Sequence, residues 1–406
     1  MIDSIAWLSV VGISENGLDG LGTQARDAIA QASLVIGGKR HLALAAEAIS
    51  GESMLWPSPI ETCIPALLAR KPQAVCVLAS GDPFTYGVGS TLVRYIPLQE
   101  MRVFPAPSVF SLAAARLGWA LQDTVTIGLN GRPLEKIIPH LQPGARIIAL
   151  STDGATPAML AALLTRQGFG ACKMMVLEHL GGPLERIRHA QADSMAWGDV
   201  AALNCVALVI AGDAAAKQHA LPLAAGLEDD RFEHDGKMTK REMRAVTLSA
   251  LAPRRGELLW DIGLGAGSIA IEWMLRHPDN RAIGIEPLAA RAQRAARNAQ
   301  ALGVPGLQII NGEAPAALAG LDAPDAVFIG GGMTAAGLLD AVWPRLKPGG
   351  RLVVNAISLE TEALLLAAFR QYGGRLIRLG VERADVVGAM TGWRPAMTVM
   401  QWSVTK

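Results

Sequence analysis

Leu258-Leu259-Trp260-Asp261-Ile262-Gly263-Leu264-Gly265-Ala266-Gly267-Ser268-Ile269-Ala270 decides the fold of the second half of this chain. An apolar strand runs into a turn with glycines at alternate positions, and a small-residue helix begins directly after it. Glycine reaches positive φ without strain and lets a ligand approach the backbone closely, while a helix N-terminus presents unbonded N–H groups. A nucleotide-like ligand fits such a turn. Dinucleotide and S-adenosylmethionine folds both use it, with an acidic residue ending the next strand to hold ribose hydroxyls. Here that residue is Glu286, 23 positions beyond Gly263, and the third glycine comes one residue too early for the dinucleotide fingerprint. The spacing favours S-adenosylmethionine over a nicotinamide cofactor.

Around this turn, Val/Ile/Leu-rich runs recur at 257–263, 281–286, 307–310, 325–330, 351–356 and 397–402, with helices expected at 289–302 and 361–372. An earlier series occupies 5–13, 74–79, 102–104, 146–150, 173–178 and 205–211. Apolar runs without strict alternation suit strands buried on both faces of an α/β sheet. Two α/β units are therefore expected, 1–213 and 228–406. The stretch 214–227, rich in small residues and without a periodic apolar face, reads as the linker. Pro105-Ala106-Pro107 and Gly118 suggest that the first unit is bilobal.

The chain has 406 residues, enough for two or three domains, and 37 Lys plus Arg against 36 Asp plus Glu. That balance lacks the basic excess of a nucleic-acid binder. The 43 glycines and 23 prolines are dispersed among apolar segments, which excludes a disordered or collagen-like chain. Cys63, Cys76, Cys172 and Cys205 stand far apart, with no Cys-x-x-Cys pair and no His at ligand spacing, so they read as buried thiols in a reducing compartment and no metal is expected. Residues 1–7 carry no basic leader signature, and the most apolar stretch, 200–212, is too short to span a bilayer. A cytoplasmic protein with no membrane partner is expected.

Thr239-Lys240-Arg241-Glu242 reads as a capping box opening a helix, worth ~1 kcal/mol. The same Thr hydroxyl can edge a cofactor pocket, and Lys240 and Arg244, four apart, can meet an acidic substrate. Residues 311–315 follow the third strand and 329–333 the fourth, where α/β sheets bind ligands. With 232–244, 260–273, 330–332 and 355–361, the segment 228–406 resembles the decarboxylating precorrin methyltransferases of the CbiT type, within the Rossmann-like class I S-adenosylmethionine-dependent methyltransferases. The resemblance implies cofactor contacts at Thr239, Gly263, Leu264, Gly265, Ala266, Gly267, Glu286 and Ala314. The family often has Asp where Glu286 stands.

In the first half, Val77-Leu78-Ala79-Ser80-Gly81-Asp82-Pro83 is a strand ending in a Gly-Asp-Pro corner, where Pro83 forces Asp82 into an extended conformation. With 37–41, 105–108 and 113–119, residues 4–212 resemble the bilobal class III tetrapyrrole methylases of the CbiE type. That likeness implies a cofactor pocket at Gly12, Ser80, Gly81, Asp82 and Ser108. Asn130-Gly131-Arg132 replaces the family's His-Gly-Arg triplet, which removes a His donor there. Arg40 and His41 are candidate anchors for the carboxylate arms of a tetrapyrrole.

The two resemblances together imply a fused enzyme that uses two S-adenosylmethionine sites. The second half would methylate C15 and release CO2 from a ring C acetate arm, and the first would methylate C5, giving precorrin-8X. A homo-oligomer is expected. The substrate is read as metal-free, with a cobalt-loaded one as the alternative. The readings from other classes are a nicotinamide-dependent oxidoreductase and a non-catalytic tetrapyrrole carrier.

Overall fold

The computed structural model describes residues 6–406, which form two compact units. Residues 1–5, part of the first expected strand and of the segment searched for a leader, lie outside the described residues. The first unit runs to Leu134 and resumes at Gln142–His219. The second comprises Glu135–Leu141 and Ala220–Lys406.

The first unit contains two five-stranded sheets. One is all parallel, in the order Glu52–Leu55, Leu34–Gly37, Val75–Ser80, Leu8–Ile13, Met101–Phe104. The other runs Val125–Gly128, Arg146–Leu150, Asn204–Val209, Lys173–Glu178, Arg186–Gln191, parallel only in its first pair. The helix Val109–Leu117 lies between them in sequence, opened by the Ser108 side chain on Ser111 N–H and closed by Gly118 at φ +66°. Every strand expected from the sequence is present. Leu34–Gly37, Glu52–Leu55, Val125–Gly128 and Arg186–Gln191 were not anticipated. Three are only four residues long, and the fourth places Arg and His between its apolar residues.

The second unit is a seven-stranded sheet in the order Gln308–Asn311, Arg281–Glu286, Leu258–Ile262, Ala326–Ile329, Arg351–Ala356, Val399–Thr405, Arg375–Leu379. The first five are parallel and the last two pairings antiparallel. Strand order reverses between Leu258–Ile262 and Ala326–Ile329, the crevice where open α/β sheets place ligands. The core is built from alternate residues of these strands, with Trp260 and Trp402 fully buried. Burying an indole of that size contributes roughly 4–6 kcal/mol of apolar transfer. An unanticipated hairpin, Glu382–Val387 with Met390–Pro395, is inserted before the last strand.

The residues read as linker are not featureless. They contain the helix Ala214–His219, and beyond it Ala220, Leu221 and Leu227 are buried. Gly226 and Leu227 donate their N–H groups to the buried Glu272 carboxylate at 2.7 and 3.0 Å.

Candidate active sites

In the second unit a cavity of about 1050 Å³ opens at the carboxyl ends of the five parallel strands. Its wall includes Asp261, Gly263, Leu264, Gly265, Ala266, Glu286, Glu313, Ala314, Gly330, Gly331, Gly332 and Asn355. The glycine turn shapes it in two different ways. At Gly263 (φ +79°) a Cβ would stand 2.9 Å from the Gly331 nitrogen, so two loops touch there through bare backbone. At Gly265 (φ +59°) a Cβ would meet nothing nearer than 3.8 Å, so this residue faces open cavity. Gly267 (φ +79°) precedes the helix Ser268–Leu275 and packs on Ala295; of the five turn residues it alone does not line the cavity.

Glu286 is buried at the end of its strand and accepts from Gly265 N–H at 2.8 Å and Leu288 N–H at 3.1 Å. A carboxylate offers about four acceptor sites, so lone pairs are left for ligand hydroxyls. Asp261 lies deeper. One oxygen accepts from Ala270 N–H at 3.1 Å, and the other is buried without a partner. Burial, assisted by the Glu286 charge, pushes its carboxyl up to about 8. The folded state therefore keeps this proton up to about pH 8, whereas the unfolded chain releases it near 3.8. The stability that goes with the bound proton is full below 3.8 and is lost as pH rises through 8. Asp261→Asn, neutral throughout, is expected to gain stability on the parent between about pH 5 and pH 8, as read by urea unfolding at both values.

Thr239 and Lys240 line the cavity, but the capping box does not form. The helix spans Arg241–Leu251 with Lys240 at its cap and no side-chain cap bond, and Glu242 pairs with Arg383 instead. Arg244 is no substrate anchor. It is fully buried, bonded to Glu272 at 2.9 Å, Asp229 at 2.7 Å and the carbonyls of Thr239 and Leu227, with its guanidinium 4.8 Å from the Phe232 ring. A cation so enclosed does not reach the cavity wall. The cavity's other cations are Lys237, Arg291 and Arg383, none singled out from sequence. Arg383 comes from the unanticipated hairpin, and Arg291 is held by Asp235 at 2.8 Å.

The first unit holds a cavity of about 380 Å³ lined by both of its lobes. Ser80, Gly81, Asp82 and Ser108 lie on its wall, as do Arg40 and His41. Gly12 does not. A Cβ on Gly12 would sit 1.8 Å from the Gly81 carbonyl oxygen and 2.8 Å from Ala106 N, so its role is to let the Gly-Asp-Pro corner close on the strand. Asp82 folds that corner by accepting from Phe84 N–H at 2.8 Å and Thr85 Oγ1 at 3.0 Å. Arg40 is engaged by Glu15 and donates to Ser80 Oγ at 2.8 Å, while His41 Nε2 lies 2.8 Å from the same hydroxyl. Burial and the adjacent Arg40 push the His41 imidazole down to about 4, which keeps it neutral at neutral pH. Glu15 and His179, also on this wall, were missed because they stand 164 positions apart and carry no local motif.

A family model described as tetrapyrrole (corrin/porphyrin) methylases matches residues 8–196, and one described as precorrin methyltransferase domain matches 230–406. A curated precorrin-6Y C(5,15)-methyltransferase [decarboxylating] from Sinorhizobium sp is 55% identical over 400 residues, covering 98% of this chain and 96% of that protein. The chain belongs to the precorrin-6Y C(5,15)-methyltransferase (decarboxylating) family. The Mycobacterium tuberculosis member is 40% identical over 404 residues, covering 98% of this chain and 99% of its own. The crystal structure of the C-terminal domain of the Rhodobacter capsulatus precorrin-6Y C5,15-methyltransferase is 46% identical, covering 46% of this chain and all of that one, with a TM-score of 0.44.

Proposed function

We infer that this chain acts on precorrin-6Y in cobalamin biosynthesis, methylating C5 and C15 of the tetrapyrrole and removing CO2, with S-adenosylmethionine as methyl donor. The observation that carries the reading is the pairing of two glycine-turn cavities, one in each unit, within a chain matched along 98% of its length by a relative of that name. We assign C15 methylation and decarboxylation to the second unit and C5 methylation to the first, each with its own donor site, and place the division between them near Ala220. The residues of the larger cavity fit the donor. Open space at Gly265 admits it against the backbone, Glu286 meets ribose hydroxyls, and Ala314 leaves a shallow wall for a flat base. In the smaller cavity Ser80, Gly81, Asp82 and Ser108 stand where the donor would bind, and Gly12 is withdrawn from that set.

S-adenosylmethionine supplies an electrophilic methyl group, and the tetrapyrrole supplies a carbon nucleophile conjugated to its ring nitrogens. The chain's task is to hold the two in line and keep water out. Lys240 and Arg383, on the rim of the larger cavity, are suited to the substrate's spectator carboxylates. The carboxylate that is lost gains by lying away from such cations: as its C–C bond breaks, the electron pair passes into the conjugated macrocycle, CO2 leaves as a neutral molecule, and the carbon left behind takes up a proton to become a methyl group. The four free cysteines, all buried, support the cytoplasmic reading, and the exposed Val386, Met390 and Trp393 of the hairpin support a homo-oligomer. Titration calorimetry with S-adenosylhomocysteine is expected to saturate near two per chain, and a value of one would count against the first-unit site first.

A further inference from the structure

The first-unit cavity contains a charge arrangement that none of the motifs accounts for. Glu15, in the loop after the strand Leu8–Ile13, belongs to the first lobe, and His179, directly after Lys173–Glu178, belongs to the second. The Glu15 carboxylate accepts from Arg40 through one oxygen and lies 3.3 Å from His179 Nδ1 through the other. A carboxylate only accepts, so His179 carries its proton on Nδ1. Arg40 in turn donates to Ser80 Oγ at 2.8 Å and to His41 Nε2 at 3.0 Å. Arginine only donates, so Ser80 Oγ receives from it, and the single lone pair of His41 Nε2 is shared by Arg40 at 3.0 Å and the Ser80 hydroxyl at 2.8 Å. The chain of contacts therefore runs His179, Glu15, Arg40, Ser80, from the second lobe to the Gly-Asp-Pro loop of the first. Backbone packing reinforces it: a Cβ on Gly182 would come within 2.5 Å of Glu15 Cβ, so the turn after His179 is pressed against this side chain.

We propose that Glu15 is a positioning residue for methyl transfer in the first unit, a latch that fixes the two lobes against each other and holds Ser80 in register with the opposite wall. This rests on the assignment of C5 methylation to that unit. Arg40 thereby becomes part of the latch: its Nη1 engages Glu15 and its Nη2 engages Ser80 and His41, which leaves only its remaining N–H groups for a substrate carboxylate. Misplacing the donor by about 1 Å costs methyl transfer far more than it costs binding, so the loss falls on turnover.

The test uses the full chain with Glu15→Gln, His179→Gly and the double variant. Glutamine keeps the shape but turns an NH2 group towards one of the two donors. Glycine tolerates the positive φ of His179 (+49°) and offers no side-chain donor. Each single variant is expected to lower kcat for C5 methylation by about 30-fold or more, with KM for the tetrapyrrole and S-adenosylhomocysteine binding at the first-unit site changed by less than about threefold. The double variant is expected to fall no more than about threefold below the worse single one, because both break the same connection. CO2 release serves as the internal reference. The latch is overturned by a single variant that keeps more than a third of the parent kcat, by losses that multiply, by a loss confined to KM, or by lost S-adenosylhomocysteine binding. Gly81→Val separates this from the underlying reading, since its Cβ would stand 2.7 Å from the Pro107 carbonyl oxygen in the donor loop. C5 methylation that survives Gly81→Val refutes the assignment of C5 to this unit. Its loss there, beside an active Glu15→Gln, refutes the latch alone.

Discussion

Gly265→Val is expected to stop CO2 release and C15 methylation together, by at least about a thousandfold, and to reduce S-adenosylhomocysteine binding from two per chain to one. Two effects combine. A β-branched residue at φ +59° is strained by about 1–3 kcal/mol, and its methyl groups project into space that the structure leaves open at the cavity wall. The strain alone lets the unit fold, while the occupied space bars the ligand. Gly263 is the contrasting position, because a Cβ there collides with the Gly331 backbone and disturbs the fold itself. Product analysis with calorimetric stoichiometry on the Gly265→Val protein checks the prediction. CO2 release at more than about one-tenth of the parent rate would place decarboxylation outside this cavity.

Glu272→Ala is expected to destabilise the second unit by about 3–5 kcal/mol, because it strands Arg244 as a buried cation and leaves the Gly226 and Leu227 N–H groups without their acceptor. For a unit of this size that corresponds to a fall in its melting transition of roughly 6–20 °C. Differential scanning calorimetry of the intact chain reads it, and a fall under about 3 °C would show that Asp229 and the carbonyls around Arg244 suffice. The same geometry bears on where the chain can be divided. A cut at residue 226 severs the segment that Glu272 holds, whereas a cut ahead of Ala220 leaves it whole.

The Rossmann-like half was legible because its information is local. The glycine turn, Asp261 and Glu286 all follow from one strand-turn-helix stretch and the end of the next strand, and they meet in one cavity. Legibility failed where a side chain's fate depends on a distant partner. The spacing of Lys240 and Arg244 puts them on one helix face, yet Glu272, 28 positions on, decides that Arg244 is buried. Thr239 has the right residues around it for a cap, but the helix begins one residue later than that motif needs, and Glu242 is drawn away by Arg383. Gly12 was read as pocket-lining, although a glycine also serves wherever two backbones touch, and sequence cannot tell these apart. The hairpin lacks a signal because both its strands are largely exposed and mix charged with apolar residues.

The burial of the cysteines bears on the enzyme's own survival. A sulfonium methyl donor is an alkylating agent, and thiolates are among the strongest nucleophiles a protein carries. Cys76 lies on the strand that leads into Ser80, only four residues from the Gly-Asp-Pro corner. Burial pushes its thiol, and those of Cys172 and Cys205, up to about 12. At neutral pH these sulfurs stay protonated and enclosed, so they present no thiolate to an electrophilic methyl group.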